Sequence, residues 1–134
     1  MSTFLLEVVT PERKVYAKEV NMVIVKGMEG ELGIQANHVP LVTPLKVAPV
    51  VIKTNGKAEE IAVHGGFVQI GKEKVVILAE TAELPGDIDY NRAKAARERA
   101  ERRLANKKDH IDHRRAELAL QRALARIEVS EHKI

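Results

Sequence analysis

The sequence predicts an α+β chain, with a β-sandwich or flattened barrel over residues 1–86 followed by an antiparallel two-helix hairpin over residues 87–134. All eight glycines and all five prolines lie at or before Gly86, and only helix-forming residues rich in alanine and arginine follow it. Before Gly86, about eight short apolar runs are separated by frequent turns, a pattern typical of sandwiches and barrels.

The first strands are predicted from apolar runs near the N-terminus. Phe4 to Val9 is apolar and rich in residues that favour strands. Between Val15 and Val25, the residues Val20, Met22 and Ile24 alternate with Glu19, Asn21 and Val23, as expected for one half-buried strand. The sequence therefore predicts two strands here, the second with Val20, Met22 and Ile24 facing the core.

Prolines and turn residues organise the rest of this domain. Pro40, Pro44 and Pro49 predict an edge or irregular strand, because proline cannot donate a hydrogen bond into a central ladder. Asn55-Gly56 stands between two apolar runs and is a strong signal for a tight hairpin turn. A second hairpin is predicted around residues 71–74.

The two helices are predicted from alanine-rich segments after Pro85-Gly86-Asp87. Asp87 is expected to cap the first helix, which should run to about Ala105. The second helix should run from about Ile111 to Ser130, after a polar connection over residues 106–110. The seam predicted between the helices joins Ala93, Ala96, Ala100 and Leu104 to Ala116, Ala119, Leu120, Ala123 and Ile127. Because a leucine contributes about 1.5–3 kcal/mol on burial and an alanine much less, this hairpin should be weakly held.

Composition excludes several classes of protein. Apolar residues make up 45% and charged residues 31% of the chain, which excludes a fully disordered protein, and the absence of cysteine excludes disulfides and thiolate chemistry. The N-terminal segment has no basic region and Glu7 interrupts its apolar run, so no signal peptide or membrane span is expected. Residues 87–134 hold 13 Lys and Arg against 9 Asp and Glu, while residues 1–86 hold 9 against 10. The basic hairpin predicts an acidic partner.

Four arginines recur at helical spacing in the two helices. Arg92 and Arg99 are seven residues apart, Arg122 and Arg126 are four apart, and Asp89 precedes Arg92 by three. If the helices fold together, four guanidinium groups converge beside one carboxylate, and such a cluster repels itself until an anion fills it. The alternative interpretation is a solvent-exposed helix pair whose arginines are neutralised by neighbouring glutamates at residues 98, 101 and 117.

No catalytic set of residues is predicted. A phosphate-binding P-loop and a dinucleotide-binding glycine fingerprint are both missing from the sequence. His110 and His113 are three apart, a spacing that metals can use, but their place at a helix connection favours solvated side chains, so no metal ligand is assigned. His38 and His64 have no neighbouring carboxylate or serine in the sequence that would suggest a catalytic triad.

The segments VVTPERKVY, GELGIQANHVPLVTPLK and VHGGFVQI, together with the helical tail, resemble the epsilon subunit of bacterial F-type ATP synthases over essentially the whole chain. The resemblance implies a ten-stranded antiparallel β-sandwich followed by the two-helix hairpin, and a non-catalytic rotor subunit. It implies that the sandwich packs on the gamma subunit and the ring of c subunits, at the cytoplasmic face of the bacterial cell membrane, which it meets only through the complex. The hairpin is expected either folded on the sandwich or extended into the catalytic head of alpha and beta subunits, where it suppresses ATP hydrolysis.

The resemblance also implies a regulatory ATP site, because Bacillus-type members carry an I/L-D-x-x-R-A motif that reads here from Ile88 to Ala93. Glu83 and Asp89 are expected on the adenine and ribose side, and four arginines on the phosphates. The full implied set is Glu83, Ile88, Asp89, Arg92, Ala93, Arg99, Arg122 and Arg126, and magnesium is an optional companion of the nucleotide. In the extended state, Arg114, Arg115, Arg122 and Arg126 are expected to contact the beta subunits.

We therefore hypothesise a non-catalytic rotor subunit whose hairpin is folded by ATP and extends when ATP falls. A purely structural rotor adaptor that ignores ATP is the nearest alternative. A nucleic-acid-binding arm is disfavoured, because only one aromatic residue, Tyr90, lies near the basic region and base stacking needs more. An enzyme acting on nucleotides would need a base and usually a metal, and neither is evident.

Overall fold

Strands are followed by helices along the chain, as predicted. The structure is a computed structural model that describes residues 2–106 and 110–132, with side chains at 2–106 and 113–132. The described strands are β1 (Phe4–Val9), β2 (Lys14–Val20), β3 (Met22–Gly27), β4 (Gly30–Gln35), β5 (Leu41–Thr54), β6 (Lys57–Ile70), β7 (Lys74–Ala79) and β8 (Ala82–Glu83). A short 3₁₀ helix (Pro85–Asp87) leads to helix α1 (Tyr90–Ala105) and helix α2 (His110–Glu131). The predicted α+β class is confirmed.

The strands form one hydrogen-bonded path in the order β2-β1-β7-β6-β5-β3-β4, with β8 added to β6. Neighbouring strands are antiparallel except β1 and β7, which are parallel. The long strands β5 and β6 each serve two groups: one half lies with β1, β2 and β7, and the other half with β3, β4 and β8. Among the described residues there are therefore eight strands rather than the expected ten. Counting each half of β5 and β6 separately gives the five-and-five arrangement of a sandwich.

Two consecutive glycines mark the place where β6 changes neighbours. Ala62 and Val63 pair with β8, whereas Gly66 onwards pairs with β7. Gly65 and Gly66 have φ angles of +82° and +130°, which residues with a side chain rarely adopt. A β-carbon on Gly66 would lie 2.1 Å from the carbonyl oxygen of Leu78, so this close approach requires glycine.

The core lies between the two groups of strands and is aliphatic. Its largest fully buried side chains include Leu6, Ile34, Ile52, Ile61 and Ile77, each from a different strand. Burying a side chain of this size contributes about 1.5–3 kcal/mol, so this cluster holds the sandwich together. The predicted Asn55-Gly56 hairpin is confirmed, because these residues join β5 to β6 with φ angles of +51° and +80°.

The predicted single strand from Val15 to Val25 is wrong. Two strands, β2 and β3, meet at Asn21, whose side-chain oxygen accepts a hydrogen bond from the backbone of Asn55 at 2.7 Å. The change of direction reverses the alternation, so that Val23 and Val25 enter the core while Met22 and Ile24 are only half-buried.

The prolines of the segment after β4 lie in an irregular strand, as one of the two predicted alternatives had it, and not in an edge strand. Pro44 and Pro49 lie within β5, which is a central strand between β6 and β3. The ladder between β3 and β5 shifts in register: Ile24 pairs with Val51, and the next pair joins Gly27 to Leu45. Pro49 lies in the unpaired interval of β5 between Leu45 and Val51, and Pro44 lies just before that interval. Neither proline therefore removes a hydrogen bond from the ladder.

The helical hairpin is folded onto the sandwich. Helix α2 packs against α1 on one side and against β5 and β6 on the other. The predicted seam is present, since Ala93 and Ala100 of α1 and Ala116 and Ala123 of α2 are buried. Ala125 and Val129 of α2 are also buried, outside the predicted stripe, so the helix has a second apolar side.

The cap of helix α1 is Asp89 rather than the predicted Asp87. The Asp89 carboxylate accepts a hydrogen bond from the backbone N–H of Arg92 at 3.1 Å. Asp87 belongs to the 3₁₀ helix, and the extended backbone of Ile88 separates that turn from α1. The cap therefore falls two residues later than the turn signal suggested.

Replacing Gly66 with alanine tests the place where β6 changes its pairing from β8 to β7. We expect Gly66→Ala to lower the free energy of unfolding by about 2–4 kcal/mol, because the new β-carbon meets the backbone of β7 and the positive φ is strained. Urea denaturation would measure the loss. Gly86→Ala is the matched control, since a β-carbon there meets nothing within 4 Å. Equal stability of the two variants would contradict the close approach.

Candidate functional site

A cleft of about 300 Å³ lies where the end of the sandwich, the 3₁₀ helix and both α-helices meet. Three carboxylates, three guanidinium groups and two alanine methyls line it. These residues are Glu83, Asp87, Asp89, Arg92, Ala93, Ala96, Arg99 and Arg126.

One wall of the cleft is the exposed start of α1. Arg92 and Arg99 are two turns apart, so both point to the same side of the helix. Ala93 and Ala96 lie between them and leave room because their side chains are small. The cap formed by Asp89 fixes the first turn, and with it the position of Arg92.

The opposite wall is formed by Glu83 of β8 and Arg126 of α2. Arg126 donates its Nε–H to Oε1 of Glu83 at 2.5 Å, and His64 Nε2 lies 2.9 Å from the same oxygen. The hydrogen bond from His64, together with Arg126, holds the pKa of Glu83 below its ordinary value against the opposing effect of burial. The carboxylate therefore joins the sandwich to the hairpin through two charge-assisted contacts.

The structure brings six of the predicted site residues together: Glu83, Asp89, Arg92, Ala93, Arg99 and Arg126. Arg122 does not line the cleft, although it lies one turn before Arg126 and is half-buried. Ile88 is also half-buried and lines a separate hollow with Tyr90 and Ser130.

The residues predicted to contact a partner lie elsewhere on α2. Arg114 and Arg115 are exposed on the first half of the helix, away from the cleft. Arg126, which was assigned both roles, is engaged with Glu83 in this folded arrangement.

The cleft is balanced in charge, which the sequence did not predict. Asp87 joins Glu83 and Asp89, so three carboxylates face three guanidinium groups instead of one carboxylate facing four. Asp87 also lies 3.7 Å from Arg13 of the turn between β1 and β2. Arg126 is paired with Glu83, and the equal numbers of carboxylates and guanidinium groups reduce the self-repulsion expected from the sequence.

His64 and Asp87 are the residues that sequence analysis missed. His64 is buried and its carboxylate partner is 19 residues away in the sequence, so no local motif reveals the pair. A histidine inside the apolar run of β6 was the one available signal, because buried polar side chains are usually hydrogen-bonded.

A second contact holds the end of α2 to the sandwich. His132 bonds through Nδ1 to the Glu60 carboxylate of β6. This hydrogen bond raises the pKa of His132, and the charge of Glu60 acts in the same direction. The contact adds stability below the ordinary pKa of 6.5, and that stability is lost as pH rises through the elevated value.

The histidine pair considered as a metal site is described only in part. His113 is exposed, while the side chain of His110 lies outside the described residues. Within the described part of the chain, no group of three or more histidine, cysteine, aspartate or glutamate side chains is arranged to hold a metal ion. Over the same residues, no helix is both long and apolar enough to cross a membrane.

An apolar surface is exposed on the group of strands that includes β7, away from the pairing of β6 with β8. Val42, Phe67 and Leu78 are 63%, 51% and 45% exposed. Phe67 pairs with Pro44 on one side and with Leu78 on the other, so these side chains lie on the same face. We call Val42, Pro44, Phe67 and Leu78 the outer apolar surface. A contiguous surface of this kind is typical of a protein–protein interface.

The sandwich with its folded hairpin defines a two-part α+β architecture, and each part matches the model of a known family. The family model described as ATP synthase, Delta/Epsilon chain, beta-sandwich domain matches residues 3–85, and that for the long alpha-helix domain matches residues 87–131. The chain is 62% identical to an ATP synthase epsilon chain of Brevibacillus brevis, covering 98% of this chain and 100% of that one. It is 50% identical to the Shouchella clausii epsilon chain, covering 99% and 98%.

The chain belongs to the delta/epsilon family of ATP synthase subunits, and within it to the epsilon chains of bacterial F-type enzymes. Its fold also matches a chain in the Euglena gracilis mitochondrial ATP synthase, OSCP/F1/c-ring in rotational state 1. That match has a TM-score of 0.83 at 21% identity and covers 98% of this chain and 83% of the other. The expected epsilon fold is thereby confirmed.

The pair formed by Glu83 and Arg126 predicts acid-induced loosening of the hairpin. Because the folded pKa of Glu83 lies below 4.5, its contribution is complete above pH 4.5 and is lost as pH falls through the lowered value. In Glu83→Gln we expect docking to weaken by about 1.5–3 kcal/mol at neutral pH.

The distance between fluorescent labels at Lys72→Cys and Arg102→Cys, in this cysteine-free chain, would report docking. We expect the distance to increase in acid for the otherwise native chain. In Glu83→Gln it should already be longer at neutral pH and respond less to acid. Identical pH profiles for the two proteins would contradict this role of Glu83.

Proposed function

We propose that the cleft binds ATP and that bound ATP favours the folded hairpin, which makes this rotor-stalk subunit a regulator of ATP hydrolysis. The observation that carries the proposal is the convergence of Arg92, Arg99 and Arg126, from both helices, on one cleft beside Glu83 and Asp89. A ligand held by both helices and the sandwich binds the folded form alone, and so stabilises it.

The residues of the cleft fit a nucleoside triphosphate. A volume of about 300 Å³ is at the lower end of the range for small-molecule sites. Guanidinium groups suit phosphate oxygens because they donate in a planar fork. The carboxylates of Glu83 and Asp89 are acceptors suited to the adenine amino group and the ribose hydroxyls. Magnesium would add positive charge beside the phosphates.

The energies are sufficient for a switch. Each charge-assisted hydrogen bond contributes about 1.5–3 kcal/mol, so two or three phosphate contacts outweigh a seam composed mainly of alanine. At a concentration 100 times the dissociation constant, a ligand that binds only the folded state stabilises it by about 2.7 kcal/mol. ATP must also part Arg126 from Glu83, which reduces the net gain.

Loss of ATP then releases the hairpin toward the catalytic head. In the extended state Arg114, Arg115, Arg122 and Arg126 meet acidic segments of the beta subunits and block hydrolysis. By thermodynamic reciprocity, capture of the extended form weakens ATP binding by the same factor. The exposure of Arg114 and Arg115 in the folded state supports an electrostatic first encounter.

The sandwich docks on the gamma subunit and the ring of c subunits, at the cytoplasmic face of the bacterial membrane. The outer apolar surface supports this assignment, since its exposed side chains form a contiguous apolar face that needs a partner. Membrane association is indirect, through the complex.

A structural adaptor without ATP control is the second candidate. The contacts of Arg126 with Glu83 and of His132 with Glu60 favour it, because they hold the hairpin on the sandwich with protein groups alone. In that case the folded state would not depend on nucleotide, and the same binding measurement separates the two functions.

Calorimetry of the isolated chain tests the ATP site. We expect Arg92→Ala and Arg126→Ala to weaken ATP binding at least about tenfold, since each removes a charged phosphate contact. Arg102→Ala is the matched control, because Arg102 lies on α1 but does not line the cleft. ATP should bind more tightly than GTP or ADP, with and without magnesium. Unchanged affinity in both cleft variants would refute the site.

The docking role of the outer apolar surface is tested separately. We expect Phe67→Glu to weaken assembly with purified gamma subunit and c ring by at least about tenfold, because it places a charge in an apolar interface. The control is Lys72→Glu, an exposed change in the turn between β6 and β7. Co-purification and sedimentation of the complex would measure the effect. Normal assembly of the Phe67 variant would exclude this surface as the interface.

A further inference from the structure

The imidazole of His64 lies directly behind the cleft without lining it. His64 is 3% exposed on β6, and its Nε2 lies 2.9 Å from Oε1 of Glu83. Glu83 lines the cleft, whereas His64 does not. Glu83 therefore forms the surface of this wall of the cleft, and the buried side chain of His64 lies behind it.

The direction of the hydrogen bond follows from the charge of Glu83. A carboxylate whose pKa is lowered is ionised at neutral pH and can only accept hydrogen bonds, so His64 must donate from Nε2. The other ring nitrogen, Nδ1, is buried and has no partner among the described residues. Within the described part of the chain, the imidazole of His64 therefore makes its side-chain hydrogen bond to Glu83 alone.

The backbone around His64 holds the same segment in place. The backbone N–H of His64 donates to the carbonyl of Thr81 at 2.9 Å, and Ala62 pairs with Glu83. Strand β8 has only two residues, so β6 is the element that positions Glu83.

Two side chains, those of His64 and Arg126, orient the Glu83 carboxylate. Arg126 belongs to the hairpin, which docks and undocks in the proposed function, whereas His64 belongs to the sandwich. Both donate to Oε1, and no side chain of the described residues bonds to Oε2. With His64 in place, the carboxylate stays oriented when Arg126 leaves, and Oε2 remains available to a ligand donor.

We propose that His64 is a positioning residue of the cleft, which holds the Glu83 carboxylate ready to accept an N–H or O–H group of the nucleotide. This inference rests on the proposed function. His64 acts through Glu83 and does not touch the ligand.

Two amide substitutions test the geometry. The amide nitrogen of Gln occupies a position close to Nε2 of histidine, whereas that of Asn is too short to reach Glu83. We expect His64→Gln to keep ATP affinity within about threefold and His64→Asn to weaken it about tenfold, the equivalent of one charge-assisted hydrogen bond. His38→Asn, at a half-buried histidine that does not line the cleft, should leave affinity unchanged. Calorimetry measures affinity, and thermal unfolding checks that each variant is folded.

A double-mutant cycle shows whether the effect passes through Glu83. In Glu83→Ala, His64→Asn should weaken ATP binding by less than about twofold, since the carboxylate that it positions is gone. Equal losses for the Gln and Asn variants, or an undiminished loss in the Glu83→Ala background, would overturn the proposal.

A second readout does not require nucleotide. Carbon-detected NMR titration of the Glu83 carboxyl group should show its pKa rising in His64→Asn and remaining low in His64→Gln. Absence of ATP binding by the native chain would refute the ATP site. The titration would still test the hydrogen bond, and a Glu83 pKa unaffected by His64→Asn would refute the positioning role by itself.

Discussion

The folded arrangement depends on the carboxylate of Glu83, which joins a two-residue strand at the end of the sandwich to the middle of α2 through Arg126. The contact lies beside the second apolar side of α2, where Ala125 and Val129 are buried. It is also partly shielded from water, so removing either partner leaves an uncompensated charge. This ion pair therefore acts together with the buried apolar side of α2 and the contact of His132 with Glu60 to hold the hairpin on the sandwich.

Much of the fold could be predicted from the sequence where local chemistry decides it. Asn55-Gly56 specifies its turn, and the loss of glycine and proline after Gly86 marks the change from strands to helices. The reversal at Asn21 and the central position of Pro49 could not be predicted, because both depend on the neighbouring strand. The same is true of the double membership of β5 and β6, which turns eight strands into a sandwich of two five-membered groups.

Some residues of the candidate site could likewise be predicted from the sequence, and others could not. Helical spacing was sufficient to group Arg92 with Arg99, since the period of an α-helix places them on one side of α1. It also paired Arg122 with Arg126, and only Arg126 lines the cleft. The balancing carboxylate of Asp87 and the hidden support of His64 could not be predicted, because they reach the cleft from a turn and from a strand. Sequence analysis therefore overstated the positive charge of the cleft.

The small side chains of the alanine seam also affect how easily α1 and α2 can separate. Methyl groups interlock little, so fewer large side chains must move when the helices separate than in a seam of leucines. Arg126 bonds to the sandwich and not to α1, so the contact between the two helices depends on these small side chains. Sliding and hinge motions of packed elements occur within microseconds to milliseconds. A seam of leucines in the same place would bury more apolar area and hold the two helices more firmly.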